Sequence, residues 1–347
     1  MTSRGGAPFR PSSGGRIFVS IVSTLLVAAL LAYIIPALQG GSAGITKFSA
    51  PGAKLVRTVG GQLWSTRFQT LPAPDAYNTN GSGNPSQTLI RWQRGLLGVG
   101  IDNAASSQFF GYFLETKQAF PAGAFVQTQM EPYPAANGVG QAAQTIIAVQ
   151  TASTDRTGLL NYVIVSYRQD AGNQSLLVGF ANGLIRGATT TTLDTVVRPG
   201  LLTAVQNQPV TVTTNGTNSY EAWLGSTPVY RGTNLHLRIP PPFQVYLEVQ
   251  AAATDYTAYF RTLYVYRSDR VTITGLPPGA DVRLSVSAPM ADQLDAIAAG
   301  SGTASMLLPP PNLTVDGTLR ISARGRSWVF SGITLHGGDI YQWRSTL

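Results

Sequence analysis

From residue 45 onward, apolar and polar positions alternate with a period of two, and no stretch keeps a 3.6-residue apolar period over three turns. The clearest alternating runs are 125–130 (FVQTQM), 160–168 (LNYVIVSYR), 175–180 (SLLVGF), 243–249 (FQVYLEV) and 257–267 (TAYFRTLYVYR). They are dense in the β-branched and aromatic residues that fit a pleated surface. Turn clusters such as 78–85 (NTNGSGNP), 170–173 (DAGN) and 215–218 (NGTN) separate such runs. Short strands without crossover helices predict a mainly β chain of antiparallel sheets packed as a sandwich. In 243–250, Phe243, Val245, Leu247 and Val249 fall on one face, and Gln244, Tyr246, Glu248 and Gln250 on the other. The polar face reads either as a solvated exterior or as a shallow groove in which Tyr246 stacks and Gln and Glu side chains accept hydrogen bonds.

The composition changes after Arg267-Ser-Asp-Arg270. Residues 271–284 (VTITGLPPGADVRL) read as strand, turn and strand, with Gly279 supplying the positive φ of a type II turn. Further strands are expected at 303–308, 317–323, 328–334 and 338–343, a set the size of a small immunoglobulin-like sandwich. One short helix is expected at 290–299. The predicted organisation is a basic tail over 1–16, an apolar helix over 17–38, a large sandwich over 45–268 and a small one over 270–347.

The apolar helix follows from Ile17 to Leu38, 22 residues without a charge. At 1.5 Å per residue it would be about 33 Å long, enough to cross a hydrocarbon core of about 30 Å. Three Arg and no acid precede it, a positive-inside bias. A retained transmembrane anchor contacting membrane lipid is the leading reading. A cleaved secretory signal would be shorter, and a pilin-type leader usually carries a Glu that this segment lacks. All three readings place residues 45–347 outside the cytoplasm, on a cell or virion surface.

The long strands and the closing pair FQVYLEVQ and YTAYFRTLYVYR resemble the concanavalin A-like jelly roll of laminin-G, lectin and glucanase relatives. The phrases VTITGLPPGADVRL, GTLRISARG and HGGDIYQW resemble the small Ig-like β-sandwich that follows such a domain in archaeal surface proteins. The resemblance implies glycan or envelope-polymer binding on a concave sheet. It also departs from the family: the Asp and Asn calcium ligands of legume-type lectins and the glucanase E-x-D-x-x-E signature are both missing.

Composition narrows the chemistry. The absence of cysteine excludes disulfides, thiol nucleophiles and Cys-ligated metals. Two histidines 100 residues apart, His236 and His336, argue against a metal site, and no cofactor motif appears. The net charge of +8 rests on Arg residues scattered singly, not on the basic stripe that tracks nucleic acid. Glu131 and Glu248, in or at the end of long strands, are the carboxyl pair a glycosidase would need, but exposed strand positions are by far the favoured explanation of both. Aromatics give the better lead. Tyr220, Trp223, Tyr246, Tyr264 and Tyr266, with Glu248, are the candidate ligand-binding residues, set against core filling as the commoner use of such rings. The expected function is a non-enzymatic, membrane-anchored surface protein binding glycan or envelope polymer. The alternative is a self-associating subunit of a virion or pilus-like filament.

Overall fold

The computed structural model describes residues 47–69, 76–81, 88–93, 95–102, 107–108, 110–121, 124–132, 142–151, 159–170, 173–185, 191–197, 200–214, 219–233, 242–287 and 293–346. The expected helix over 17–38 lies outside them. Among the described residues, no helix is long and apolar enough to cross a membrane.

The alternating runs fold as strands. A seven-stranded antiparallel sheet runs Thr191–Val197, Asn173–Ile185, Leu159–Asp170, Ala142–Thr151, Phe243–Ala252, Phe110–Thr116, Tyr77–Gly81. An eight-stranded sheet runs Thr227–Thr233, Ser219–Leu224, Val210–Thr214, Ala124–Pro132, Tyr256–Tyr266, Leu96–Ile101, Thr88–Gln93. Its eighth strand, Gln62–Arg67, also pairs with Tyr256–Tyr266. The facing sides share one core, to which Ile147, Val149, Val163, Val165, Val245 and Leu247 come from the first sheet and Val126, Val212, Phe260 and Val265 from the second. Burying such side chains stabilises by roughly 1.5–3 kcal/mol each, so this contact dominates the fold.

The strand Phe243–Ala252 has the predicted faces: Phe243, Val245, Leu247 and Val249 are buried, and the residues between them are half-buried. The helix is not where it was expected. Residues Gln293–Ile297, inside the predicted helix, form a strand paired with Asp281–Val286. The α-helix among the described residues is Leu201–Asn207, which buries Leu201 and Val205 in the large core. It takes the Gln174 side chain as acceptor for the Leu202 N–H at 2.9 Å. The tertiary partner overrode the weak local preference at 293–297.

The small sandwich combines a five-stranded sheet, Lys47–Ala50, Ala53–Val59, Ile340–Ser345, Arg270–Thr274, Ala304–Leu307, with a four-stranded sheet, Gln293–Ile297, Asp281–Val286, Thr314–Ala323, Arg326–His336. Residues 47–59 were expected in the large sandwich. They pair instead with the C-terminal strand, Leu55 opposite Trp343, so both ends of the described chain build the small one. Strands Arg270–Thr274 and Ile340–Ser345 run parallel. The small core, around Leu55, Val271, Ile273, Val282, Ile321, Phe330 and Leu335, also takes in Tyr266 of the large sandwich.

Candidate functional site

The side of the seven-stranded sheet that faces away from the core carries chemistry. Register places Gln244 beside Gln150, Tyr246 beside Ala148 and Glu115, Glu248 beside Ile146 and Phe113, and Gln250 beside Gln144 and Gly111. The next strand adds Tyr162, Ile164, Ser166 and Arg168 to the same side. The result is an apolar floor of Ile146, Ala148 and Ile164, bounded by aromatic rings, amides and two carboxyls.

Glu115 and Glu248 lie diagonally on adjacent strands, and Phe113 and Tyr246 occupy the crossing diagonal with ring centroids 5.6 Å apart. Diagonal neighbours on one sheet face stand roughly 7–8 Å apart between Cα atoms, within reach of long side chains. Two hydrogen-bonded chains end on the carboxyls. Ser166 Oγ donates to Gln144 Oε1 at 3.0 Å, the Gln144 amide donates to Gln250, and Gln250 Nε2 donates to Glu248 Oε1 at 2.7 Å. Gln150 Nε2 donates to Glu115 Oε1 at 2.5 Å. Gln150 and Glu115 are only 4% and 6% exposed although they point away from the core. A bare solvated surface does not bury its polar groups so far.

Gly111 has a positional reason. A Cβ there would come within 2.5 Å of Glu248 Oε1, so glycine leaves the room in which that carboxyl lies. Burial raises Glu248 to about 7, partly offset by the Gln250 N–H. Near neutral pH its carboxyl therefore exists in both forms and is able either to accept or to donate a hydrogen bond.

Of the residues singled out from sequence, Tyr246 and Glu248 stand on this face. Tyr220, Trp223, Tyr264 and Tyr266 do not, because their strands belong to the other sheet. Tyr220 is buried in the large core and stacks on Tyr230, with centroids 5.3 Å apart and an interplanar angle of 16°. Trp223 donates from Nε1 to Glu221 at 2.9 Å and lies 5.0 Å below the Arg231 guanidinium. Tyr266 packs into the small core, and Tyr264 packs against it. Glu131 and Glu248 do not face one another: they point away from the core on opposite sheets, and Glu131 pairs with Arg261. Its place beside Glu248 is taken by Glu115. Sequence reasoning missed Phe113, Glu115, Gln144, Gln150 and Ser166. In AAQTIIAVQT, Ile146 and Ala148 occupy outward positions, so alternation is hidden; the two Gln six residues apart on one strand face were the available signal.

Among the described residues no three His, Asp or Glu side chains gather as a metal site, and His236 lies outside them. No family model matches the chain, nor does any curated protein compared with it. Solved structures resemble it at low identity. LamAcat from Zobellia galactanivorans is 14% identical over 59% of this chain and 97% of its own, with a TM-score of 0.42. A legume lectin-like domain from Entamoeba histolytica is 12% identical over 59% and 96%, at 0.40. A Bacillus subtilis protein of unknown function with a galectin-like fold is 11% identical over 61% and 98%, at 0.39.

Proposed function

We propose that the outward face of the seven-stranded sheet binds a neutral glycan, without turnover, on a concanavalin A-like sandwich held at a cell or virion surface by the apolar segment 17–38. The observation that carries the reading is the crossing of the Phe113–Tyr246 ring pair with the Glu115–Glu248 carboxyl pair. Sugar rings present C–H faces to aromatic rings and vicinal hydroxyls to carboxyl and amide groups, and this face offers both within one strand spacing. Arg168 is the cation that register adds to the described part of the face, and it pairs with Asp170 at 2.8 Å, which favours a neutral over an acidic polymer.

A second reading, glycoside hydrolysis, draws on Glu115 and Glu248 sharing one face, since glycosidases work with two carboxyls roughly 5–10 Å apart. Binding is preferred because each carboxyl already accepts a hydrogen bond from a glutamine amide of its own face.

A neutral-oligosaccharide array probed with the full chain tests the reading. Retention that Tyr246→Ala weakens about tenfold supports it; no retention, or retention that the variant leaves unchanged, overturns it. Reducing ends released by the wild type and not by Glu248→Gln would replace binding with hydrolysis.

A further inference from the structure

The opposite face of the large sandwich holds a cavity of about 550 Å³, lined by Arg67, Gln127, Gln129, Arg261, Thr262 and Tyr264 with Gln69, Gly95 and Pro209. Its origin is topological. Strand Tyr256–Tyr266 changes neighbour partway along: Tyr256–Phe260 pair with Leu96–Ile101, and Thr262–Tyr266 pair with Gln62–Arg67. At the changeover the register with Ala124–Pro132 shifts between Phe260 and Thr262, and Phe68 N donates to Arg261 O at 3.0 Å. An irregularity of this kind bends a strand and redirects its side chains. Here it opens the sheet surface between two neighbouring strands and brings Arg261 and Thr262 together beside the gap.

The lining is rich in donors. Arg67 Nε donates to Tyr264 Oη at 3.2 Å, which leaves the Tyr264 proton and the terminal guanidinium nitrogens to a ligand. Thr262 Oγ1 accepts from Gln129 N–H at 3.2 Å and likewise keeps its proton. Gln127 is fixed at the wall: its amide nitrogen donates to Thr211 Oγ1 at 3.1 Å and to Pro311 O at 2.9 Å. The charged lining residues are Arg67 and Arg261, the latter shared with Glu131. Guanidinium groups bind planar carboxylates through paired hydrogen bonds, and the hydroxyls and amides around them suit the hydroxyls of a sugar ring.

We propose that this cavity binds a carboxylate-bearing sugar residue, a uronate, as a second saccharide site independent of the neutral-glycan face. Its volume falls in the range of roughly 300–1,000 Å³ typical of small-molecule sites. Tyr264 would hold Arg67 in place and donate its own proton to the ligand. Arg67 would take the carboxylate.

Calorimetry on the full chain, with galacturonate, trigalacturonate, a neutral trisaccharide and sodium sulfate as probes, tests this. Saturable binding of galacturonate or trigalacturonate is expected, weakened about tenfold or more by Arg67→Gln and about threefold by Tyr264→Phe. The neutral trisaccharide should not compete, and Tyr246→Ala, on the other sheet, should leave uronate affinity unchanged. Equal affinity for monomer and trimer would define a one-residue site, and a tighter trimer a polymer site; both support the proposal. It is overturned if neither uronate saturates, if sulfate binds as tightly, or if Arg67→Gln binds like the wild type. Because Arg67 is exposed, that variant keeps the fold.

Discussion

The Asp339 carboxylate accepts a 2.7 Å hydrogen bond from the Gly61 backbone N–H, joining positions 278 residues apart. Its other oxygen accepts from His336 N at 2.9 Å and from Tyr341 Oη at 3.1 Å, while the Arg57 guanidinium stands 3.9 Å from the oxygen that Gly61 uses. Asp339 is fully buried, so this one carboxylate satisfies donors from both ends of the small sandwich. Asp339→Ala would leave the Gly61 and His336 backbone N–H groups without their acceptor, at about 1–3 kcal/mol for each orphaned donor, whereas Tyr341 Oη keeps the Thr334 carbonyl at 3.4 Å. The expected outcome is a loss of about 3 kcal/mol or more in urea denaturation of the full chain. Gly61→Ala should be comparably harmful, since a Cβ would meet Asp339 N and Gly337 O at 2.3 Å and both are backbone atoms.

That junction also marks where reading from sequence stopped. Period-two alternation located strand Phe243–Ala252 and its two faces because burial on one side forces that pattern locally. The pairing of residues 53–59 with the last strand leaves no local trace, because register depends on residues hundreds of positions away. The site divides in the same way. Tyr246 and Glu248 were legible as a polar face on one strand, whereas Glu115 and Gln150 join them only through sheet order. Tyr220 and Trp223 looked equally available, but composition reveals neither that Tyr220 meets the core nor that the strand carrying both belongs to the other sheet.

Tyr246→Ala should reduce neutral-glycan affinity about tenfold by removing one half of the ring pair, with little change in stability, because Tyr246 is half-buried and lies outside the core. Gly111→Ala should act in the same direction by displacing the Glu248 carboxyl. Titration by intrinsic fluorescence checks both, with thermal melts as the control.

Tyr220→Ala is expected to do the reverse. Tyr220 fills core volume and its hydroxyl lies 3.0 Å from that of Tyr230, so truncation creates a cavity and removes a buried partner. A destabilisation of about 3–5 kcal/mol follows from large-to-small substitution at such a site. The fraction that remains folded should keep its glycan affinity, and denaturation together with binding measurements separates the two effects.

The pH dependence of stability separates two buried groups that push in opposite directions. Burial raises Glu248 from 4.5 to about 7. Between those values the folded chain holds a proton that the unfolded chain has released, so this group's contribution is full below about pH 4.5 and is lost as pH rises through about 7. Burial lowers His336 from 6.5, with Asp339 and Asp316 opposing that shift and Arg57 adding to it. There the unfolded chain takes up the proton first, so stability falls as pH drops below about 6.5. Each proton contributes a slope of at most about 1.4 kcal/mol per pH unit, and the two slopes oppose one another over much of the same window. Glu248→Gln should therefore make stability rise more steeply with pH between about pH 5 and 7 than it does in the wild type, and His336→Gln should tilt it the other way. Denaturant midpoints across this range read the two slopes directly. A Glu248→Gln profile parallel to the wild type would mean that the carboxyl is solvated, and a solvated carboxyl would stay ionised near neutral pH and act on the glycan face as an acceptor alone.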